Sequence, residues 1–155
     1  MTRPWVWLSA FLSVGFALGG SLAHLYELPH KIHLSSEDYL TVQQIYRGWA
    51  LLGVVILGAV LSTAAHLTVL HLRRQPWLLA AVGLACLITG QAVFWAFTFP
   101  ANQETSNWTM LPNNWTHLRA QWEYSHAAGA LLNLSAFLAL LFGASRRGDA
   151  PSKRF

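Results

Sequence analysis

Residues 49 to 70, WALLGVVILGAVLSTAAHLTVL, run without one charged side chain. The run matches the roughly 20 apolar residues a helix needs to cross the hydrocarbon of a bilayer. Its apolar residues are continuous rather than alternating and rich in Leu and Ala, so a strand of a membrane barrel is excluded. Three further stretches of the same kind flank it: Trp77 to Phe99 on one side across the short HLRRQP connection, Trp5 to Leu25 upstream, and Tyr124 to Phe142 downstream. The reading is an all-α integral membrane four-helix bundle in a single domain, residues 1–155, with helices at about 5–26, 48–72, 77–99 and 122–144.

Composition agrees with this reading. Hydrophobic residues make up 54% of the chain and charged residues 10%, a balance that a soluble domain of this size does not keep. Cations set the orientation: Arg3, Arg73, Arg74, Arg146, Arg147, Lys153 and Arg154 fall on one side, which the positive-inside rule makes cytoplasmic together with both termini. The other side holds Lys31, Arg47 and Arg119 among Glu27, Glu37, Asp38, Glu104 and Glu123. The net charge of +4 is therefore a consequence of topology, and with no aromatic-interleaved basic tract nucleic acid is excluded as a partner. The N-terminal run is longer than the apolar core of a secretory signal and only weakly basic at its start, so it reads as an uncleaved helix. The lone Cys86 excludes an internal disulfide.

The connections carry their own signals. Pro29 is expected to break the first helix. Ser35 and Ser36 with Glu37 and Asp38 supply a cap and an acidic first turn for a short amphipathic helix over about 37–47, read as a surface lid. The connection from His71 to Pro76 is so short that the helices it joins must be antiparallel neighbours. Pro100 to Gln121 is a polar loop carrying Trp108, Trp115 and Trp122, an interfacial cap. Asn107 and Asn114 stand in glycosylation tripeptides, which short sequences produce by chance. Gly15, Gly19 and Ala23 form a stripe on the first helix that allows a close approach, with Gly129 and Ala130 on the fourth. If these two helices touch, their polar triplets meet.

Those triplets are the candidate site. His24-x-x-Glu27 and Glu123-x-x-His126 each place an acid and an imidazole on one helix face. Because the two helices run in opposite directions, both Glu residues sit at the mouth and both His residues one level deeper. Ionisable groups at a membrane boundary are costly unless they are paired or in use. The same four residues, His24, Glu27, Glu123 and His126, could ligate one metal ion, or His24 and His126 one haem. A dinuclear centre is excluded because the second and third helices contribute no Asp or Glu. A purely structural alternative pairs Glu27 with Arg47 and Glu123 with Arg119, the imidazoles serving as interhelical glue. His66, about 26 Å from the mouth at 1.5 Å per residue, cannot join the cluster. Gln91 and Trp95 could line a cavity, and Asn133 could bond across helices.

Phe99-Pro100-Ala101-Asn102 and Arg119-Ala120-Gln121-Trp122-Glu123-Tyr124-Ser125-His126 carry a resemblance. The chain resembles the anthrone oxygenase-like family of small four-helix membrane proteins, in which Pro-x-Asn follows the third helix and Trp-x-x-x-His opens the fourth. Gly129 departs from the family, which commonly has Arg there, so a substrate oxyanion would have to meet Arg119 or Arg47 instead. The resemblance implies a multi-pass protein of the bacterial plasma membrane that oxidises a lipophilic, phenolic or quinone-like aromatic without a cofactor. His126 would be the base, His24 a second base or orienter, and Glu27 or Glu123 the group that fixes the ring tautomer. Asn102 and Trp122 would hold the substrate's oxygen and face, with Trp95 as a further contact. The other readings left open are a metal- or haem-binding membrane protein and an accessory subunit or oligomer held through its helices in a larger complex.

Overall fold

A computed structural model describes the backbone of residues 4–148 and the side chains of 5–145. The orientation signals at Arg3, Arg146, Arg147, Lys153 and Arg154 lie outside the described residues or side chains. Six α-helices, α1 (Pro4–Lys31), α2 (Ser36–Gln43), α3 (Leu52–Leu72), α4 (Leu78–Val93), α5 (Phe99–Glu104) and α6 (Trp115–Gly148), account for most of the chain. Four helical segments are long and apolar enough to cross a membrane: Trp5–Lys31, Trp49–Leu72, Leu78–Glu104 and Trp115–Ser145.

These four form a closed ring in which α1 packs on α3 and α6, and α4 on α6 and α3. At its centre lie small and aliphatic side chains: Ala10, Val14, Ala59, Leu70, Ala80, Leu87, Ala136 and Leu140. The rim is reversed relative to a soluble protein, with Phe16, Val54, Leu57, Leu61, Ile88 and Leu131 all exposed. Such a surface is favourable only against lipid.

The predicted stripe is close to α6 only in part. A Cβ on Gly15 would stand 3.6 Å from the Phe137 ring, whereas Gly19 and Gly129 have nothing within 4 Å of theirs; tighter positions lie elsewhere, at Gly20, 3.2 Å from Leu52, and at Gly83 of α4, 3.4 Å from the Ala136 carbonyl oxygen. Helices α1 and α6 do meet, but through side chains: Asn133 Nδ2 donates to Ser21 Oγ at 2.7 Å, and Phe11 lies 4.6 Å from Phe137. Asn133 is thus an interhelical tie.

Three helix ends differ from the sequence expectation. Pro29 does not break α1, which continues to Lys31; the turn is closed by the Ile32 amide donating to the Leu28 carbonyl, and Lys31 is anchored in the site described below. Pro100 does not end the third spanning segment either. Residues Phe94–Thr98 widen into a π-helical turn in which the Phe99 amide reaches back to Phe94, and Gln121 Nε2 donates to the Phe97 carbonyl at 2.8 Å. The wider turn accommodates the proline ring, Gln121 adds a bond to the Phe97 carbonyl, and the helix resumes as α5. Helix α6 starts at Trp115, seven residues before the expected 122, because the polar residues that read as loop are its first two turns; Trp115 and Leu118 amides bond to Pro112 and Asn114 carbonyls.

The short connection behaves as expected. Arg74 adopts φ 52, and amides of Arg74 and Gln75 bond to the carbonyls of His71 and Leu70 at 3.0 and 2.9 Å. This is a Schellman closure.

At the opposite end, the segments 32–51 and 105–114 form a cap with its own core: Tyr39, Ala101, Trp108, Leu118 and Trp122. Ser35 caps α2 by accepting from the Asp38 amide, as its sequence suggested. The helix is shorter than expected, giving way to a 3-10 turn at Gln44–Tyr46, and it turns Tyr39 and Gln43 inward while Glu37, Asp38 and Thr41 face out. Ser106, Asn107 and Trp108 take positive φ in succession, a costly left-handed turn for side chains of this size. It is held by the Trp108 amide on Thr105 Oγ1 and by Gln44 Nε2 on the Trp108 carbonyl at 2.9 Å. The strained turn drives the Trp108 indole under α2.

Candidate functional site

The last two turns of α1 put His24, Glu27 and Lys31 on one stripe, with spacings of three and four residues. Helix α6 faces them with Arg119, Trp122, Glu123 and His126, which also recur every three or four residues. The two polar triplets meet beneath the cap. The His24 and His126 rings stack with centroids 4.0 Å apart and planes 25° apart. His24 is enclosed further by Tyr46 at 4.6 Å, Trp122 at 5.1 Å and Trp49 at 5.4 Å. Trp122 packs on His126 at 4.1 Å.

Above the stacked rings stands a group that the sequence reading had counted only as a loop cation. Lys31 is 3% exposed, and its Nζ lies 3.1 Å from Glu123 Oε1 and 3.7 Å from Glu27 Oε2. Nζ also donates to the Tyr46 hydroxyl at 3.0 Å and lies 4.4 and 4.5 Å from the Tyr46 and Trp122 ring centroids. Tyr46 in turn donates to Glu27. Glu123 is fully buried and accepts from the Tyr39 hydroxyl at 2.9 Å, which accepts from Gln43 Nε2 at 2.6 Å. Burial, and then the neighbouring Glu123 carboxylate, push the Tyr39 phenol far above its ordinary value, so it remains a proton donor.

The pairings offered as a structural alternative are not the ones formed. Glu27 and Glu123 share Lys31, whereas Arg47 donates to Gln44 Oε1 and Arg119 to the Leu34 carbonyl at 2.7 Å. Arg119 instead pins the strap that begins at Leu34, and its guanidinium lies over Trp115 at 4.6 Å. Asn102 Oδ1 accepts from both Trp122 Nε1 at 2.8 Å and Trp108 Nε1 at 3.2 Å, so it fixes the indole wall. Trp95 lies outside the cluster, 59% exposed and packed on Phe94 and Phe99. His30, His33 and His117 are exposed, and His71 lies beside Trp77. His66 is buried in the other half of α3.

Lys31, Tyr39, Gln43 and Tyr46 were missed. Lys31 could have been found, because it shares the stripe of His24 and Glu27. The i, i+4 pair Tyr39 and Gln43 could be seen as one face of α2, but which way that face turns depends on the cap.

Within the cluster, His24 Nδ1, Glu123 Oε2 and Gln43 Oε1 are buried and have no hydrogen-bond partner. Buried polar atoms are nearly always hydrogen-bonded, so these three call for a partner or a role. A metal ion does not fit. Among the described residues no three His, Cys, Asp or Glu side chains are grouped to hold one. Imidazole lone pairs lie in the ring plane, so rings stacked nearly parallel cannot both point at an ion about 2 Å from each nitrogen. Axial ligation of one haem requires the rings on opposite sides of the iron, which their mutual stacking prevents.

Two surface grooves lie near the site without reaching it. One, about 320 Å³, runs over the cap between Leu40, Gln44, Arg47 and Trp108. The other, about 470 Å³, lies between the π-helical turn and α6, beside Phe97, Gln121 and Tyr124. The cluster itself lies beneath the strap, residues 34–46, with the Glu27 side chain 32% exposed at its edge.

The chain matches no protein-family model, and no curated protein or solved structure is significantly similar to it.

Proposed function

We propose that the protein is a multi-pass oxidoreductase of the bacterial plasma membrane, with its termini in the cytoplasm and its cap on the outer face. It would oxidise a lipophilic phenolic or quinone-like aromatic in the manner of an anthrone oxygenase, without a resident cofactor. The observation that carries the proposal is the stacked His24 and His126 pair under a buried Lys31–Glu123 ion pair, walled by indoles.

Each part has a role in such a reaction. His126, backed by His24, takes the acidic ring-carbon proton as the general base. Lys31 is the cation next to the developing oxyanion, the role that the resemblance left to Arg119 or Arg47. Glu123, with one oxygen free of partners, receives the substrate's hydroxyl and fixes its tautomer. The electron-rich anion then reduces O₂ beside the indole wall. Substrate arrives from the bilayer, and the strap moves to admit it.

The test is anthrone-dependent O₂ uptake by membranes containing the full chain. We expect His126→Ala to lower uptake by about a hundredfold or more with folded yield retained. Undiminished uptake in that variant contradicts the assignment of the base, and no uptake by the unmodified protein contradicts the activity.

A further inference from the structure

Four tyrosines occur in the chain, and they divide sharply. Tyr26 and Tyr124 are 72% and 59% exposed on the rim. Tyr39 and Tyr46 both donate their hydroxyls to carboxylates, Tyr39 to Glu123 Oε1 at 2.9 Å and Tyr46 to Glu27 Oε2. These two rings are also joined by indoles. Tyr39 to Trp108 is 5.0 Å, Trp108 to Trp122 is 6.1 Å, Trp122 to Tyr46 is 5.6 Å and Tyr46 to Trp49 is 5.0 Å, centroid to centroid. Every step is within the range of direct aromatic contact. Asn102 holds two of the indoles by one oxygen, so the row is rigid.

We infer that Tyr39 and Tyr46 are proton-coupled one-electron donors, and that the row Tyr39–Trp108–Trp122–Tyr46–Trp49 carries oxidising equivalents out of the site and its surrounding lipid. The oxidant is an oxygen-centred radical of the peroxyl class. It takes one electron through the indoles and one proton from the medium to become a hydroperoxide. The tyrosine that supplies the electron passes its phenolic proton to the carboxylate already bonded to it, leaving a neutral phenoxyl radical and a carboxylic acid. Losing the electron changes the net charge of the cluster by one unit in either case, but with the proton on the carboxylate the pair is two neutral groups rather than a radical cation beside an anion. A phenol radical cation that kept its proton in this setting would bear the full cost of desolvated charge. The strong hold of burial and Glu123 on the Tyr39 proton means that oxidation must move electron and proton together.

The inference stands apart from the oxygenase proposal, since it concerns the aromatic row and needs no anthrone. Its test uses the full chain in lipid nanodiscs, oxidised by a photogenerated ruthenium(III) polypyridyl complex and examined by electron paramagnetic resonance with ring-deuterated tyrosine. We expect a neutral tyrosyl signal that is retained in Tyr26→Phe/Tyr124→Phe and lost in Tyr39→Phe/Tyr46→Phe. In the unmodified protein the radical oxygen should show coupling to one exchangeable deuteron after transfer to D₂O, the proton held by the carboxyl group. Loss of the signal in the rim variant, or its persistence in the cap variant, overturns the inference. So does the absence of exchangeable coupling in the unmodified protein, which is read without any variant of the cap.

Discussion

At the scale of single residues, Lys31 decides the energetics of the site. A buried ion pair contributes little relative to apolar groups of the same shape, but removing one member strands the other and costs about 3–5 kcal/mol. We therefore expect Lys31→Met to destabilise the protein by about that amount in reversible unfolding from detergent. Lys31→Met/Glu123→Gln should lose less than Lys31→Met alone, since it removes the stranded charge; equal or greater loss in the double variant contradicts the pairing. Tyr39 gives a prediction in pH. Its folded-state value lies above the ordinary 10.0, so the folded protein keeps a proton that the unfolded chain releases. The associated stability is complete below about pH 10 and falls as pH rises beyond it. Tyr39→Phe should remove that contribution, and denaturation midpoints between pH 9 and 11 should then fall less steeply than in the unmodified protein. The sequence displayed His24, Glu27, Glu123 and His126 as mirrored triplets because helix periodicity alone puts each pair on one face. It put Lys31 on the stripe of His24 and Glu27 but did not show that Lys31, rather than Arg119, also meets Glu123, because that depends on how α1 and α6 pack.

At the scale of elements, spanning segments were legible and their ends were not. Apolar length identifies a membrane helix without knowledge of its neighbours. Both prolines lie inside helices whose ends also make contacts to another element, Lys31 to Glu123 in one case and the Phe97 carbonyl to Gln121 in the other, and sequence does not display such contacts. The start of α6 was hidden for a related reason: its first two turns are polar because they belong to the cap. The α3–α4 connection was read correctly from length alone, and its geometry leads to a test. Arg74 holds φ 52, a conformation that costs a residue with Cβ roughly 1 kcal/mol. Arg74→Gly should raise stability by up to about 1 kcal/mol in the same unfolding assay, and a loss of stability would show that the side chain outweighs the strain.

At the scale of the whole molecule, the four-segment ring has two unlike ends. One closes with a tight turn between α3 and α4; the other carries an aromatic cap over the only place where α1 and α6 bring acid, lysine and imidazole together among the described residues. The small-residue core between them holds these helices in fixed register, and register is what turns two separate triplets into one site. The central claim is that His24 and His126 act as one unit. Residues that work together lose activity non-additively, because removing either one disables the pair. The direct measurement is anthrone-dependent O₂ uptake in membranes for His24→Ala, His126→Ala and the double variant, normalised to folded protein. The account predicts that the double variant is no more impaired than His126→Ala alone; losses that multiply, or a His24→Ala variant with full uptake, would contradict it.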